Sequence, residues 1–136
     1  MGLDQEIRFM KLQNDFPDTC PEEMADFLYH LPSVEDPICL RKNYALQGFV
    51  YGLAKERGIP SKEALYGAYI RLYPKDICQF YALTKNPKKM QKQIGNWLGR
   101  TAPYYEWDQE QDQALCHKVI GQIAFGDIAA YFCSDW

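Results

Sequence analysis

The stretch that most constrains the fold is Leu40-Arg41-Lys42-Asn43-Tyr44-Ala45-Leu46-Gln47-Gly48-Phe49-Val50. Its apolar residues recur at positions 46, 49, 50 and 53, a spacing that places them on one face of a helix. Gly58 follows where a left-handed glycine commonly ends a helix. The sequence therefore predicts an amphipathic helix from about residue 40 to residue 57, with the cations Arg41 and Lys42 in its first turn.

Before this helix, the chain predicts a strand, a turn and a short helix. From residue 3 to residue 12, apolar and charged residues alternate at period two, which is typical of a half-exposed strand. Turn chemistry in residues 14–21 precedes a helix predicted over 22–31, with Pro21 at its first turn. The expected apolar stripe of this helix consists of Met24, Phe27, Leu28 and Leu31.

After the central helix, strands and helices continue to alternate. Residues 66–73 predict a strand, and a helix is expected to begin at Pro74 and to end before Asn86-Pro87. Residues 94–99 predict a third, short strand, and residues 128–133 predict the last one. A long helix is expected between these two strands, with an apolar face of Leu115, Val119, Ile120 and Ile123.

The order of these elements predicts an α+β fold. Several helices are too short to cover both faces of a sheet, so we expect a small mixed or antiparallel sheet of about four short strands with helices packed on one side. A chain of 136 residues fits one domain, 1–136, and can bury a core without metal or disulfide bonds.

The charge of the chain argues against direct binding to nucleic acid. The formal net charge is -3 and the estimated pI is 5.3, so the molecule lacks a general basic field. No apolar run approaches the roughly 20 residues of a membrane span, and the amino-terminal sequence does not read as a secretory signal. We therefore expect no membrane association and a location in the cytosol.

The cysteines predict neither a disulfide framework nor a metal site. Cys20, Cys39, Cys78, Cys116 and Cys133 are odd in number, widely spaced and form no Cys-x-x-Cys pair. We expect buried, free thiols in a reducing compartment. Cys116 and His117 are adjacent on a predicted helix and point about 100° apart, so they do not form a nucleophile and base pair. No cofactor is expected.

Four segments in chain order carry a family resemblance: Met1-Gly2-Leu3-Asp4, the central Arg41-Lys42 helix, residues 68–77 and the terminal Tyr131-Phe132-Cys133-Ser134-Asp135-Trp136. In this order they resemble a family of small phage and prophage proteins. Those chains open Met-Gly-Leu-Asp, carry an Arg-Lys-x-x-Ala-Leu-His-like helix and close on a strand ending Ser-x-Trp. Gln47 stands where His is common in that family, so no role of that His is carried over.

Three surfaces are candidates for binding. The first, Tyr104-Tyr105-Glu106-Trp107-Asp108, combines aromatic and acidic residues and suits a protein partner with basic residues. The second combines lysines with a nearby aromatic residue, which suits phosphate and base contacts, although a solvated helix face explains it adequately and is the usual meaning of such lysines. Its residues are Lys85, Lys88, Lys89, Lys92 and Trp97.

The third candidate surface consists of Asp4, Arg41 and Lys42. Paired cations near a helix start could hold a phosphate group. The alternative is that Arg41 and Lys42 form ordinary surface ion pairs with Asp4, Glu35 or Asp36, which contribute little energy.

The resemblance, together with the lack of catalytic motifs in the sequence, implies a non-enzymatic accessory protein of a phage or mobile element. We expect it to bind a macromolecular protein partner, such as a nucleic-acid-handling host protein, and to inhibit a host defence effector in an anti-CRISPR-like manner. The alternative is a small enzyme or a nucleotide- or phosphate-binding protein that uses the neighbourhood of Asp4, Arg41 and Lys42.

Overall fold

The computed structural model describes residues 2–13 and 16–135, and of Phe27 only the backbone. The fold is α+β, as the sequence predicts, with a five-stranded sheet in which every strand pair is antiparallel. Three predictions fall outside the described part of the chain. They concern the turn residues 14 and 15, the Phe27 side chain in the apolar stripe, and Met1 and Trp136 of the family motifs.

The described elements follow one another in a largely alternating order. The strands are β1 Asp4–Lys11, β2 Thr19–Cys20, β3 Ile38–Arg41, β4 Tyr69–Leu72 and β5 Ile128–Asp135. The α-helices are α1 Asp26–His30, α2 Tyr44–Glu56, α3 Lys62–Leu65, α4 Pro74–Thr84, α5 Pro87–Leu98 and α6 Gln109–Ile123. Single 3-10 helices span Glu22–Met24 and Gly99–Tyr104.

The sheet is organised around its two long strands. Its order is β2-β4-β5-β1-β3, and β1 pairs with β5 along its full length, from Asp4 opposite Asp135 to Lys11 opposite Ile128. Because strand side chains alternate between the faces, Ile7 and Phe9 lie on one face while Glu6 and Arg8 lie on the other. The pairing register of the strands therefore decides which side chains of the five strands lie together on each face of the sheet.

One face is covered by helices α2, α4, α5 and α6, and it holds the larger core. Asn43 caps α2 by accepting a hydrogen bond from the backbone N–H of Leu46 at 3.0 Å, and Gly58 lies beyond the end of the helix with φ +100°. α2 also packs closely on α5: a Cβ built on Gly48 would lie 1.8 Å from the carbonyl oxygen of Gln93. The predicted apolar face is confirmed, since Leu46, Phe49 and Val50 are buried and Leu53 is half-buried against the core.

The opposite face is covered only in part. The short helix α1 packs its buried Leu28 against Met10 and Tyr131. The expectation that helices lie on one side of the sheet is therefore correct for the longer helices but not for α1. Among the described residues, no helix combines the length and the apolar character that crossing a membrane requires.

Four local predictions were wrong. Leu40 and Arg41 belong to β3 rather than to the helix, because Lys42 takes φ 55° and turns the chain before α2. Residues 94–99 were expected to form a strand, but Met90, Ile94 and Trp97 are spaced as one buried face of α5. β1 is largely buried on both faces instead of half-exposed. Met24, expected in an apolar stripe, is 64% exposed.

Candidate binding groove

A groove remains where α1 does not reach across the second face of the sheet. Its volume is about 590 Å³, and it extends over the ends of β1, β3 and β5. We call it the acidic groove, because five carboxylates line it, while the neighbouring cations of the described chain, Arg8 and Arg41, lie at its border. The chemically distinctive lining residues are Asp4, Glu6, Glu22, Asp26, Asp135, Tyr29, Tyr69, Cys39 and Cys133.

The register of the strands brings these side chains together. Glu6 pairs with Cys39 on one side and with Cys133 on the other, so the three form a row across β3, β1 and β5. Two pairs further along, on the same face, Asp4 lies opposite Asp135. Opposed residues of an antiparallel pair point to the same face, so the alternation of β1 and β5 places acidic residues from distant parts of the chain in one groove.

Arg8 lies on the same face of β1 as Asp4 and Glu6 and holds α1 against the sheet. Its guanidinium donates to the carbonyl oxygens of Leu28, Tyr29 and Leu31 at 3.0, 3.0 and 2.6 Å. These carbonyls end α1, so Arg8 ties the helix to the sheet and satisfies groups that a short helix leaves unpaired. The Arg8 Nε also lies 3.5 Å from a carboxylate oxygen of Glu6.

Tyr29 adds an aromatic surface to the carboxylates. Its side chain is 65% exposed, and its ring centroid lies 6.0 Å from the guanidinium carbon of Arg8. Aromatic faces and carboxylates both attract guanidinium and ammonium groups. The groove therefore combines two kinds of group that recognise cations.

The thiols of the groove are not arranged for nucleophilic chemistry. Burial, with a further contribution from Glu6 and Asp135, raises the pKa of Cys133 to about 12, so its reactive thiolate is scarce near neutral pH. Cys39 and Cys133 flank Glu6 on separate strands, about 10 Å apart by strand spacing, which is too far for a disulfide. Cys39 and Cys78 are exposed, which corrects the expectation that the thiols are buried.

The arrangement also does not suit a metal or a phosphate. Within residues 2–13 and 16–135, no group of three or more His, Cys, Asp or Glu side chains is placed to hold a metal ion. The Arg41 Nε lies 3.6 Å from Asp4, and both side chains are mostly exposed, as the surface ion-pair alternative expects. A phosphate beside Arg41 would also face the carboxylates of the groove, so the geometry does not favour the phosphate-binding alternative.

The aromatic and acidic segment 104–108 is partly incorporated into the fold. The indole N–H of Trp107 donates to Asp112 at 2.7 Å, and Tyr105 packs edge-on against Tyr44 with ring centroids 5.2 Å apart. Tyr104 is 85% exposed, and Glu106 and Asp108 are also exposed. Asp108 caps α6 by accepting from the N–H of Gln111. The segment thus offers a narrower surface than the sequence suggests, and its contact with a partner stays a prediction.

The lysine surface does not include its predicted aromatic residue. Lys85, Lys88, Lys89 and Lys92 are exposed around α5. Trp97 is only 8% exposed, and its ring packs edge-on against Tyr51 and Tyr66 at centroid distances of 5.6 and 5.7 Å. Its indole therefore cannot stack on a base in the folded protein, and the lysines form a solvated helix face.

A buried polar network was not foreseen from the sequence. Gln5 Nε2 donates to Gln47 Oε1 at 2.9 Å, and Gln47 Nε2 donates to Ser134 Oγ at 3.1 Å. Beside these hydrogen bonds, Asn43 Nδ2 donates to Asp112 Oδ1 at 2.7 Å. Burial raises the pKa of Asp112, and the hydrogen bond from Asn43 opposes this effect. The signal was present in the sequence as polar residues at inward-facing positions of β1, α2 and β5.

No family model matches the sequence, and no match was found among curated proteins or among solved structures.

Proposed function

We propose that the protein acts by binding a cationic segment of a protein partner in the acidic groove. One observation supports this above the others: five carboxylates and the exposed ring of Tyr29 line a single groove. Only two cations of the described chain border it, Arg8 beside Glu6 and Arg41 beside Asp4. Complementary charge guides association and excludes partners of the wrong sign. Binding of this kind requires no reaction by the protein itself.

The partner class follows from the same chemistry. Proteins that handle nucleic acid expose Arg and Lys to contact phosphates, and carboxylates in a groove can occupy those side chains. In the setting that the phage-family resemblance implies, the partner is a nucleic-acid-handling effector of host defence. The protein then acts as an anti-CRISPR-like inhibitor that masks the nucleic-acid-binding surface of the effector.

The binding step can be tested with a blocked Arg-Val-Arg-Val-Arg peptide. We expect it to shift the amide NMR signals of β1, β3, β5 and α1 and to slow alkylation of Cys39. Cys78 is also exposed but lies on α4, so its alkylation rate serves as an internal control and should not change. Signal changes confined to the lysine face or to segment 104–108 would refute binding in the groove.

Matched variants test whether the carboxylates are responsible. The combined substitutions Glu22→Gln and Asp26→Asn remove two exposed charges of the groove. We expect them to weaken peptide binding by about tenfold, or about 1.4 kcal/mol. Glu56→Gln with Glu110→Gln removes two exposed charges from α2 and α6 and should leave affinity within about twofold. Equal weakening by both pairs would indicate general electrostatic attraction only.

The biological role requires a separate test. Bacteria with active CRISPR immunity should become sensitive to a targeted phage when they express the protein. The groove pair Glu22→Gln and Asp26→Asn should restore immunity, whereas the Glu56→Gln and Glu110→Gln pair should not. If the folded wild-type protein leaves immunity intact, the proposed inhibition of such effectors fails.

A further inference from the structure

The outer edge of β3 borders the acidic groove and is an end of the sheet. β3 is terminal in the strand order, beyond β1. The N–H of Lys42 donates to the carbonyl oxygen of Leu3 at 2.8 Å, which sets the hydrogen-bonding phase of the β1 and β3 pair. In this phase Cys39 and Arg41 direct their backbone N–H and C=O groups away from β1, where another strand can pair with them.

The side chains of Cys39 and Arg41 both lie on the sheet face that carries the groove. Cys39 lines the groove, and Arg41 lies at its border, where the Asp4 carboxylate 3.6 Å from the Arg41 Nε offsets the charge of the guanidinium. Cys39 is paired with Glu6, and Arg41 is paired with Asp4. A residue added opposite Cys39 would place its side chain on the groove side as well. Glu6 would then lie two strand spacings from the added strand, about 10 Å, within reach of an extended Arg side chain.

We propose that the cationic partner segment binds as an added strand along β3, with alternate Arg or Lys side chains entering the acidic groove. This inference rests on the proposed function and adds the backbone conformation of the bound segment. The main chain of the segment pairs with β3, while charge complementarity between its side chains and the groove selects cationic sequences.

The structure also limits the length of the added strand. The Gln5 side chain accepts from the N–H of Asn43 and donates to its carbonyl oxygen, both at 2.9 Å. Together with φ 55° at Lys42, these bonds turn the chain from β3 into α2. Pairing is therefore confined to Ile38–Arg41, so the carboxylates must provide a large part of the affinity.

Two N-methylated forms of the blocked Arg-Val-Arg-Val-Arg peptide test the inference. One carries methyl groups on the two internal Val amides, and the other on the amides of the second and third Arg. Only one set of alternate amides faces a neighbouring strand. We expect one form to bind at least about tenfold more weakly and the other to bind within about twofold of the parent. Weaker binding of the form methylated on the Arg amides would indicate antiparallel pairing with β3. Weaker binding of the form methylated on the Val amides would indicate parallel pairing.

The outcomes separate this inference from the proposed function. If both methylated forms bind like the parent and the Glu22→Gln and Asp26→Asn pair still weakens them, the groove binds cations but strand addition is wrong. If the parent peptide does not bind the wild-type protein at all, the proposed function fails as well.

Amide hydrogen exchange provides a second readout on the protein. Peptide binding should slow exchange at Cys39 and Arg41 by at least about tenfold, without a change at Cys78 in α4. Unchanged exchange at both β3 residues would overturn the inference. A dimer in sedimentation that saturating peptide does not dissociate, together with protection of Cys39 and Arg41 from exchange before peptide is added, would also overturn it, because β3 would then pair with a second copy of the chain.

Discussion

The two faces of the sheet use the same strands but differ in what covers them. On one face, Ile7, Phe9 and Phe132 pack beneath α2 and the helices beside it. On the other face, α1 covers only one end, and alternate residues of the same strands present carboxylates to a groove. The larger cluster of buried apolar side chains lies on the helix-covered face, so we expect that face to provide most of the free energy of folding. The groove face can then carry charge at little cost to stability. Four substitution experiments test this distinction.

The largest effect is expected from the helix-covered face. Phe49 is 7% exposed, and its ring centroid lies 5.2 Å from that of Phe80. Phe49→Ala removes these contacts and leaves a cavity, so the free energy of unfolding should fall by about 3 to 5 kcal/mol in urea titrations. Phe125→Ala is the control, because Phe125 is 91% exposed and its loss should cost less than about 0.5 kcal/mol. Similar losses for the two would contradict the assignment of the core.

A somewhat smaller loss is expected at the crossing of α2 and α5. In Gly48→Ala the new Cβ would meet backbone atoms of Gln93, the nearest at 1.8 Å, so the helices must separate. We expect a loss of about 1 to 3 kcal/mol in chemical unfolding. Gly52→Ala on the same helix meets no atom within 4 Å and should instead stabilise by about 0.5 to 1 kcal/mol. A neutral Gly48→Ala would show that the two helices are not in close contact.

The sequence predicted the helix-covered face better than the groove face, for a physical reason. The apolar residues of α2, α4 and α6 repeat at helical spacing, which is a local signal. The groove depends on register, since Asp4, Glu6 and Asp135 come together only after β1 pairs with β5. β2 and β3 were missed because strands of two and four residues carry too little periodicity.

The predicted binding residues illustrate the same limit. The sequence predicts Trp97 and Trp107 as binding contacts, Trp97 beside lysines and Trp107 between two carboxylates. The structure buries Trp97, and it bonds the indole N–H of Trp107 to Asp112. Long-range packing therefore decided the role of each aromatic side chain. Asp4 was selected from the sequence for a phosphate site, and the structure places it instead among the carboxylates of the groove.

The buried carboxylate of Asp112 should give an effect of intermediate size. Asp112→Asn keeps the shape but offers only one acceptor oxygen to the two donors, Asn43 and Trp107. Near pH 7 we expect a loss of about 1 to 3 kcal/mol in urea unfolding. Asn43→Ala, which removes one donor and the α2 cap together, provides a comparison for the network. If Asp112→Asn does not lower the free energy of unfolding, the hydrogen bonds from Asn43 and Trp107 make no net contribution to stability.

The pH dependence of this difference has a defined sign. Burial raises the pKa of Asp112, so the folded protein holds a proton at pH values where the unfolded chain has released it. The contribution of this group is therefore most favourable below the unfolded pKa and falls as pH rises through the folded pKa. Acidification from about pH 7 to about pH 4 should widen the stability advantage of wild type over Asp112→Asn. A constant difference over that range would contradict the raised pKa.

The smallest effect is expected in the acidic groove, where the carboxylates should matter for binding and not for folding. Glu22→Gln with Asp26→Asn removes two charges from a groove with three further carboxylates, Asp4, Glu6 and Asp135. The relief of repulsion should stabilise by no more than about 0.5 kcal/mol, since exposed charges are well solvated. Thermal unfolding at about 0.01 M and about 1 M salt should show the gain at low salt only, because screening acts over about 30 Å in the first case and about 3 Å in the second. Glu56→Gln with Glu110→Gln, on the helix-covered side, should show no such difference. If Glu22→Gln with Asp26→Asn instead destabilises the protein by more than about 1 kcal/mol at both salt concentrations, the carboxylates of Glu22 and Asp26 support the fold. The distinction between a stabilising face and a binding face would then be wrong.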